Sequence, residues 1–432
     1  MRAHHQASRL IAGFVLSIAV LAAHAEGVKA PDKVDFAILL RLVRDASPKL
    51  EIERQGVAQA EADRVTAGAL PNPTFNYGRM RPSSGQPTIL DGSRQEEITV
   101  DLPLPLSGQR AARIDRAERE IEAARARVAA GTSTLAAEAA SAFVALLEAQ
   151  DKAAVLAEAH AEVARLRDIV AGREAGGAAS RYDSTRAGVE LGGLLARWEE
   201  ARAEVADRSG SLAALLGIAN WRPLALGSLE TLRMDYAGKT DGRGRMTTAP
   251  VLVAAEREEA AAQSGIEVAR RERVPTPVLS VGRAWSSSPF GAANYVGVSV
   301  EIPLLDSRRG PLARAAADAR AATLRRELIA AELEANLRRL EEVIAARSVS
   351  LERFEKSAVS QLGPLKEMVE DAYRLGRGSV LELLDATRSR HDLQLMRIEL
   401  AAELLGAQLR LLALSGGLDT QSERGPAGIR LP

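Results

Sequence analysis

The chain has 432 residues, 57 Lys+Arg against 57 Asp+Glu, no cysteine and few aromatics (6 Phe, 3 Trp, 5 Tyr). That length allows several ordinary domains or one very elongated one. Zero net charge argues against nucleic-acid binding, which draws on a basic excess to meet phosphates. The lack of Cys excludes disulfides, thiolate catalysis and Cys-ligated metal centres. About 80 alanines beside so few aromatics suit long, closely packed helices better than a compact core of large side chains.

At the N-terminus Arg2 and Arg9 precede an apolar run from Leu10 to Ala23, closed by the small-x-small triplet Ala23-His24-Ala25. This pattern predicts a secretory signal peptide over residues 1–25. The run is about 14 residues, too short to span a bilayer as a helix. No Cys follows the cleavage site to carry a bacterial lipid anchor. No later stretch of 18 apolar residues occurs, so no helix is expected to cross a membrane, and membrane contact is expected from strands or partners.

The strongest organisational signal is an internal duplication. Leu70-Pro71-Asn72-Pro73 recurs as Val274-Pro275-Thr276-Pro277, and Asp101-Leu102-Pro103-Leu104 as Glu301-Ile302-Pro303-Leu304. Gly177, Ser180, Asp183 and Gly217 recur as Gly376, Ser379, Glu382 and Gly416, all at one offset of 199 residues. The expected division is a first repeat over 26–217, a connector over 218–248, a second repeat over 249–416 and a polar tail over 417–432.

Each repeat opens with a helix, at about 35–68 and 249–272, that runs into the Pro-x-Pro break. Two strands follow, joined by Gly-, Ser- and Pro-rich loops around Pro82–Arg94 and Ser286–Ala293. The second strands alternate with period two: Ile98, Val100 and Leu102 oppose Glu97, Thr99 and Asp101. Likewise Val296, Val298, Val300 and Ile302 oppose Tyr295, Gly297, Ser299 and Glu301, giving one apolar and one polar face. Phe75, Tyr77 and Trp285, on the first strands, suit an interfacial girdle. Long helical stretches are then expected at about 107–175 and 306–375, each roughly 100 Å if unbroken. Ile114, Ile121, Val128 and Leu135 recur every seven residues, the spacing of a helix packed along a neighbour. A Gly-containing turn leads to a return helix that ends at Gly217 or Gly416.

Four strands with one apolar face cross an outer membrane only within a closed barrel. Four cannot close alone, since about eight is the practical minimum. Three copies would supply twelve strands continuing into helical columns. The simpler alternative is a soluble periplasmic coiled-coil scaffold with a small sheet.

The duplicated plan of helix, Pro-x-Pro, strand, loop, strand, long helix, Gly turn and helix resembles the outer-membrane efflux protein family, the TolC-like trimeric channels, over essentially the whole mature chain. Asn72-Pro73, Gly176-Gly177 with Arg181-Tyr182-Asp183, and the absent lipid-anchor Cys are most similar to outer-membrane subunits of cobalt–zinc–cadmium type cation-efflux systems. The resemblance implies a mainly α fold with a small β part, a trimeric 12-stranded barrel continuing into a periplasmic helical tunnel. It also implies a passive conduit, not an enzyme, docked to a periplasmic adaptor and an inner-membrane, proton-driven pump of the resistance-nodulation-division type. Multidrug efflux and type I protein secretion use the same kind of channel and stay open as alternatives.

At the tip, Ser180 with Asp183 and Ser379 with Glu382 fit capping boxes, in which the Ser caps the helix and the acid reaches back. The competing functional reading places Glu382 and Asp385, one turn apart, at the tunnel mouth with Asp183, where three chains would form a cation-favouring acidic ring. The resemblance supports that reading, because acidic rings follow the second-repeat tip glycine in such channels. It also makes Tyr373 a tip-latch candidate, and the turns at Gly177, Ser180, Gly376, Arg377, Gly378 and Ser379 candidates for adaptor docking. Gly378 stands where the family's tip arginine is expected, with Arg377 beside it, and Arg186 is the first-repeat counterpart of Asp385. Ile98, Val100, Leu102, Val296, Val298 and Val300 are the expected lipid-facing residues. After the signal peptide only His160 and His391 remain, both in charged helical stretches without a metal-ligand companion at i±4; for His391 a solvated face is expected over a weak metal site with Asp392. No phosphate loop follows a strand and no Ser, His and Asp are arranged as a triad, so neither cofactor nor resident metal is expected.

Overall fold

A computed structural model describes residues 30–81, 95–232, 246–286, 291–375 and 377–418. The expected signal peptide, the loop at 82–94, Gly376 and the tail beyond Leu418 lie outside the described residues, as do 233–245 of the connector.

A two-residue strand, β1 (Lys33–Val34), leads into α1 (Phe36–Ala46). Asp35 caps α1 by accepting the Ile38 amide at 2.7 Å. Ser47 is extended (φ −77°, ψ 119°) and Pro48 begins α2 (Pro48–Gly68). A single helix over 35–68 was the expectation; Pro48 splits it, because proline bars the helical conformation from the residue before it while fitting a first helical turn.

Strands β2 (Thr74–Met80) and β3 (Gln95–Pro103) come next, then α3 (Gln109–Ala175) and α4 (Arg181–Leu216). The connector holds β4 (Leu224–Ala225) and the one-turn α5 (Leu229–Leu232). The second half repeats the plan with α6 (Pro250–Arg271), β5 (Val278–Ser286), β6 (Ala292–Ser299), α7 (Arg309–Ser357), α8 (Leu362–Arg374) and α9 (Val380–Leu414). The second long helix is therefore not continuous over 306–375: a 3₁₀ turn at Val359–Gln361 separates α7 from α8. Pro364 supplies the reason, since it lacks an N–H and its ring crowds the carbonyl four residues back. Val300, expected within a strand, follows the last residue of β6.

The chain divides into two compact units. One is drawn from Glu51–Gly131 and Gly242–Ala335, and its sheet is antiparallel throughout in the order β2-β3-β5-β6. Cross-strand register puts Phe75, Val100, Val281 and Val296 in one row and Leu102, Leu279 and Val298 in another on the same face. The opposite face carries Thr74, Asp101, Ser280 and Gly297, then Asn76, Thr99, Gly282 and Tyr295. There the Asn76 amide donates to Asp101 Oδ2 at 2.7 Å. Gly282 sits where a Cβ would come within 2.5 Å of the Ile98 carbonyl oxygen, so the two central strands need glycine at that crossing.

In this unit the helices follow the order of the strands. Arg64–Glu118 (2.8 Å) and Arg125–Glu61 (2.9 Å) join α2 to α3. Arg127–Glu258 and Arg257–Glu122, both at 3.0 Å, join α3 to α6. Arg326 reaches Glu259 at 2.6 Å to join α6 to α7. The Glu259 carboxyl also accepts from Thr323 at 2.7 Å, and that bond, ahead of Arg326, holds it below the usual glutamate value. Such partly exposed pairs contribute about 0–1 kcal/mol each; they specify neighbours more than they stabilise.

The other unit is drawn from Met1–Leu50, Thr132–Asp241 and Asn336–Pro432. One core packs α1 against α3, α4 and α9 around Leu39, Phe143, Leu147, Leu216, Leu405 and Leu409, with Phe36 edge-on to Phe143 at 6.0 Å. β1 and β4 pair in parallel beside it, and Trp221 Nε1 donates to the Pro31 carbonyl at 3.0 Å. Against the expectation that no helix is apolar enough to cross a membrane, an 18-residue window of α3 reaches a mean hydropathy of 1.3; half of it is buried, as in a core helix. A second core gathers Leu156, Val163, Val170, Leu194, Leu383 and Leu384.

Candidate functional site

The tip turns flank this second core, to which Tyr373 and Val380 belong; Gly177, Ser180, Arg377 and Ser379 are themselves exposed. The α3 end is closed by Gly177 in the left-handed region (φ 74°), with the Ala178 amide donating to Arg173 O at 2.7 Å and the Gly177 amide to Glu174 O at 2.9 Å. This Schellman closure satisfies two orphan carbonyls and needs a residue free to take positive φ. In the second repeat Arg377 and Gly378 both donate to the Ala372 carbonyl, at 2.8 and 3.0 Å.

Each return helix then starts with a complete capping box. Ser180 accepts the Asp183 amide at 3.2 Å while its own amide donates to Asp183 Oδ2 at 3.1 Å. Ser379 accepts the Glu382 amide at 3.2 Å while its amide donates to Glu382 Oε2 at 3.0 Å. Both acids thus hold helix N-termini, where the carboxylate also meets the positive end of the helix dipole. Glu382 and Asp385 are exposed, and Asp183 is half-buried.

Tyr373 is only 8% exposed and packs with Val380 and Leu383. The Arg173 guanidinium lies 4.4 Å from its ring centroid, a cation–π contact between α3 and α8. Its hydroxyl is buried without a hydrogen-bond partner among the described residues.

The expectation that His391 lies on a solvated face fails: it is 3% exposed. Its Nε2 is 3.2 Å from Glu162 Oε2 and its Nδ1 is 3.1 Å from Gln394 Oε1. Arg390, also buried, pairs with the same Glu162 oxygen, and Lys366 of α8 approaches its other oxygen at 3.7 Å. Burial pushes the Glu162 carboxyl up, but the hydrogen bond with His391 and the charges of Arg390 and Lys366 outweigh it and hold the group below its ordinary value. Sequence reasoning missed this cluster. A usable signal was there: Leu384, His391, Ile398, Leu405 and Leu412 recur every seven residues, which puts the histidine in an apolar stripe. Among the described residues no group of three or more His, Asp or Glu is arranged to hold a metal ion.

Of the expected lipid-facing residues, Ile98, Val100, Leu102, Val296 and Val298 share the apolar sheet face, whereas Val300 lies beyond the end of β6. Val296 and Val298 are 72% and 70% exposed, and Val100 and Leu102 are also open; Ile98 is half-buried. Val300, beyond the strand end, is exposed as well. Phe75 and Tyr77 lie on the same face and are exposed. An exposed apolar face of this kind is suited to lipid rather than water.

A sheet with one apolar and one polar face, each pair of strands feeding antiparallel helices, defines the class: an outer-membrane channel subunit of barrel and helical-tunnel type. Residues 39–218 match the family described as "Outer membrane efflux protein". The chain is 30% identical to the nickel and cobalt resistance protein CnrC of Cupriavidus metallidurans over 314 residues, 70% of this chain and 71% of that one. It is 27% identical to the nickel-cobalt-cadmium resistance protein NccC of Alcaligenes xylosoxydans xylosoxydans over 337 residues, 75% of this chain and 73% of that one. The crystal structure of the outer membrane protein VceC from Vibrio cholerae matches with a TM-score of 0.71 at 17% identity, covering 89% of this chain and 96% of that one. This chain belongs to the outer membrane efflux protein family. Its fold is the mainly helical, TolC-like one, and it resides in the outer membrane with a periplasmic helical extension.

Proposed function

We propose that the protein is the trimeric exit channel of a tripartite, proton-driven efflux system that exports divalent metal cations. The observation that carries the channel reading is the four-stranded sheet, apolar on one face. Three copies give twelve strands, enough to close a barrel. The metal cargo is supported by the resistance proteins that the chain resembles, whose names specify nickel, cobalt and cadmium. An adaptor in the periplasm and an inner-membrane pump of the resistance-nodulation-division type complete the assembly, and selection of the ion belongs to the pump. The unit repeated over 26–217 and 249–416 supplies both halves of each subunit's wall.

In this reading Glu382 and Asp385, with Asp183, form the acidic ring at the tunnel mouth, which favours cations. The exposure of Glu382 and Asp385 one turn apart supports it. The turns at Gly177, Ser180, Gly376, Arg377, Gly378 and Ser379 face the adaptor, and Tyr373 under Arg173 is the tip latch.

The test is a growth-inhibition panel on a strain lacking this gene. Sensitivity confined to nickel, cobalt, zinc or cadmium is expected. Broad sensitivity to lipophilic drugs and detergents, with metals tolerated normally, would remove the metal cargo and leave a general exit duct.

A further inference from the structure

We propose that Arg79 and Arg283 form a binding site for the phosphates of a glycolipid in the outer leaflet of the outer membrane. The inference rests on the barrel reading and adds a ligand to it.

Both arginines stand on the sheet face assigned to lipid. Toward the strand ends that carry the loops, the apolar rows give way to Tyr77, Ile98, Arg283 and Asn294, and then to Arg79, Glu96, Trp285 and Ala292. The acids Glu97 and Asp101 alternate onto the opposite, polar face. A charge on a lipid-facing strand is costly at mid-membrane and tolerated near the interface, so arginines on this face belong at headgroup level. The helices join the sheet at the end marked by Thr74 and Pro103. Because the helical extension is periplasmic, the other end, marked by Met80, Gln95, Ser286 and Ala292, faces the exterior. Arg79 and Arg283 therefore meet the outer leaflet.

The duplication carries the same feature twice. Gly78-Arg79 recurs as Gly282-Arg283 at an offset of 204 residues, the offset that also relates Pro71 to Pro275 and Pro73 to Pro277. In the sheet the two arginines lie two strands apart and are staggered by two residues, since Arg79 is level with Trp285 through Glu96. That stagger is about 7 Å along the strands over about 10 Å across them. It corresponds to a tilt of about 35°, the inclination of strands in a membrane barrel. Strands so tilted carry both arginines at one depth, about 12 Å apart.

The surroundings leave the site short of negative charge. Arg283 is exposed, its cross-strand neighbours Ile98 and Asn294 are uncharged, and its guanidinium lies 5.7 Å from the Trp285 ring centroid. Arg79 pairs with Glu96 at 3.3 Å, and Arg81 is exposed just past the end of β2. Among the described residues the exterior end of this face thus holds more arginine than acid. A guanidinium fork matches phosphate oxygens bidentately. Two forks so spaced suit a headgroup phosphorylated at both ends better than one with a single phosphate. Tyr77, Asn294 and Trp285 add hydroxyl, amide and indole groups that can meet sugar. This combination selects a phosphorylated disaccharide glycolipid over a phospholipid.

The test inserts the full chain into phosphatidylcholine nanodiscs and titrates three lipids: lipid A with two phosphates, dephosphorylated lipid A, and phosphatidylglycerol. Bound lipid is counted by native mass spectrometry. Diphosphorylated lipid A is expected to bind about tenfold or more tightly than the other two, and Arg79→Gln with Arg283→Gln is expected to remove that preference. Arg208→Gln, on α4, is expected to keep it. The comparison of lipids uses the unaltered chain, so it decides the matter even if the double variant assembles poorly. An inserted channel that binds dephosphorylated lipid A or phosphatidylglycerol as tightly overturns the site and leaves the barrel standing. So does a preference that survives the double variant, or that Arg208→Gln abolishes equally. A chain that stays dispersed in buffer without detergent or lipid overturns the barrel reading, and the site with it.

Discussion

Glu382 reaches back to the Ser379 amide at 3.0 Å in the second repeat, as Asp183 reaches Ser180 at 3.1 Å in the first. One carboxylate can therefore both cap a helix and present charge at a tunnel mouth, and a neutral isostere separates the two roles. Glu382→Gln with Asp385→Asn keeps the acceptor oxygen of the box and removes both charges. The expected outcome in planar bilayers is a several-fold fall in cation-over-anion selectivity with an unchanged melting temperature. Ser379→Ala is expected to do the opposite, costing about 1 kcal/mol at the helix end with selectivity intact. Unchanged selectivity in the double variant would leave capping as the whole role of Glu382.

Val296 and Val298 lie across from Val281 and Leu279 on the apolar sheet face. Arginine at both positions puts two charges on the surface assigned to lipid, at a cost of about 2–4 kcal/mol each near the bilayer midplane. Loss of the protein from the outer-membrane fraction is expected, while the polar-face substitution Ser280→Arg assembles better. Normal membrane assembly of Val296→Arg with Val298→Arg would contradict the barrel.

What could be read directly from the sequence is what local chemistry decides. The alternation from Ile98 to Leu102 and from Val296 to Val298 needs only period two to place those residues on one face, and the Ser-x-x-acid motifs close their capping boxes within a single turn. The break at Pro48 was equally local, yet a continuous helical pattern on both sides masked it. The Glu162 cluster was hidden for a different reason: its burial depends on α3, α8 and α9 meeting, which no single helix encodes.

The Glu162 cluster predicts an acid-sensitive stability. Its carboxyl is held below the ordinary 4.5 by its cationic and hydrogen-bonding neighbours, against the opposing effect of burial. A depressed carboxylate contributes stability that is fully present above its unfolded value and is lost as pH falls through the folded one. The melting temperature of the detergent-solubilised protein should therefore decline below about pH 4.5. Glu162→Gln should flatten that decline and lower stability at neutral pH by about 3–5 kcal/mol, because Arg390 is left buried without its counter-charge. Adding Arg390→Met to Glu162→Gln should recover much of the loss, since two apolar or neutral groups replace an unpaired charge. Melting curves of the three proteins between neutral pH and pH 3.5 decide the matter: an acid decline in Glu162→Gln as steep as in the parent would assign it to other carboxylates.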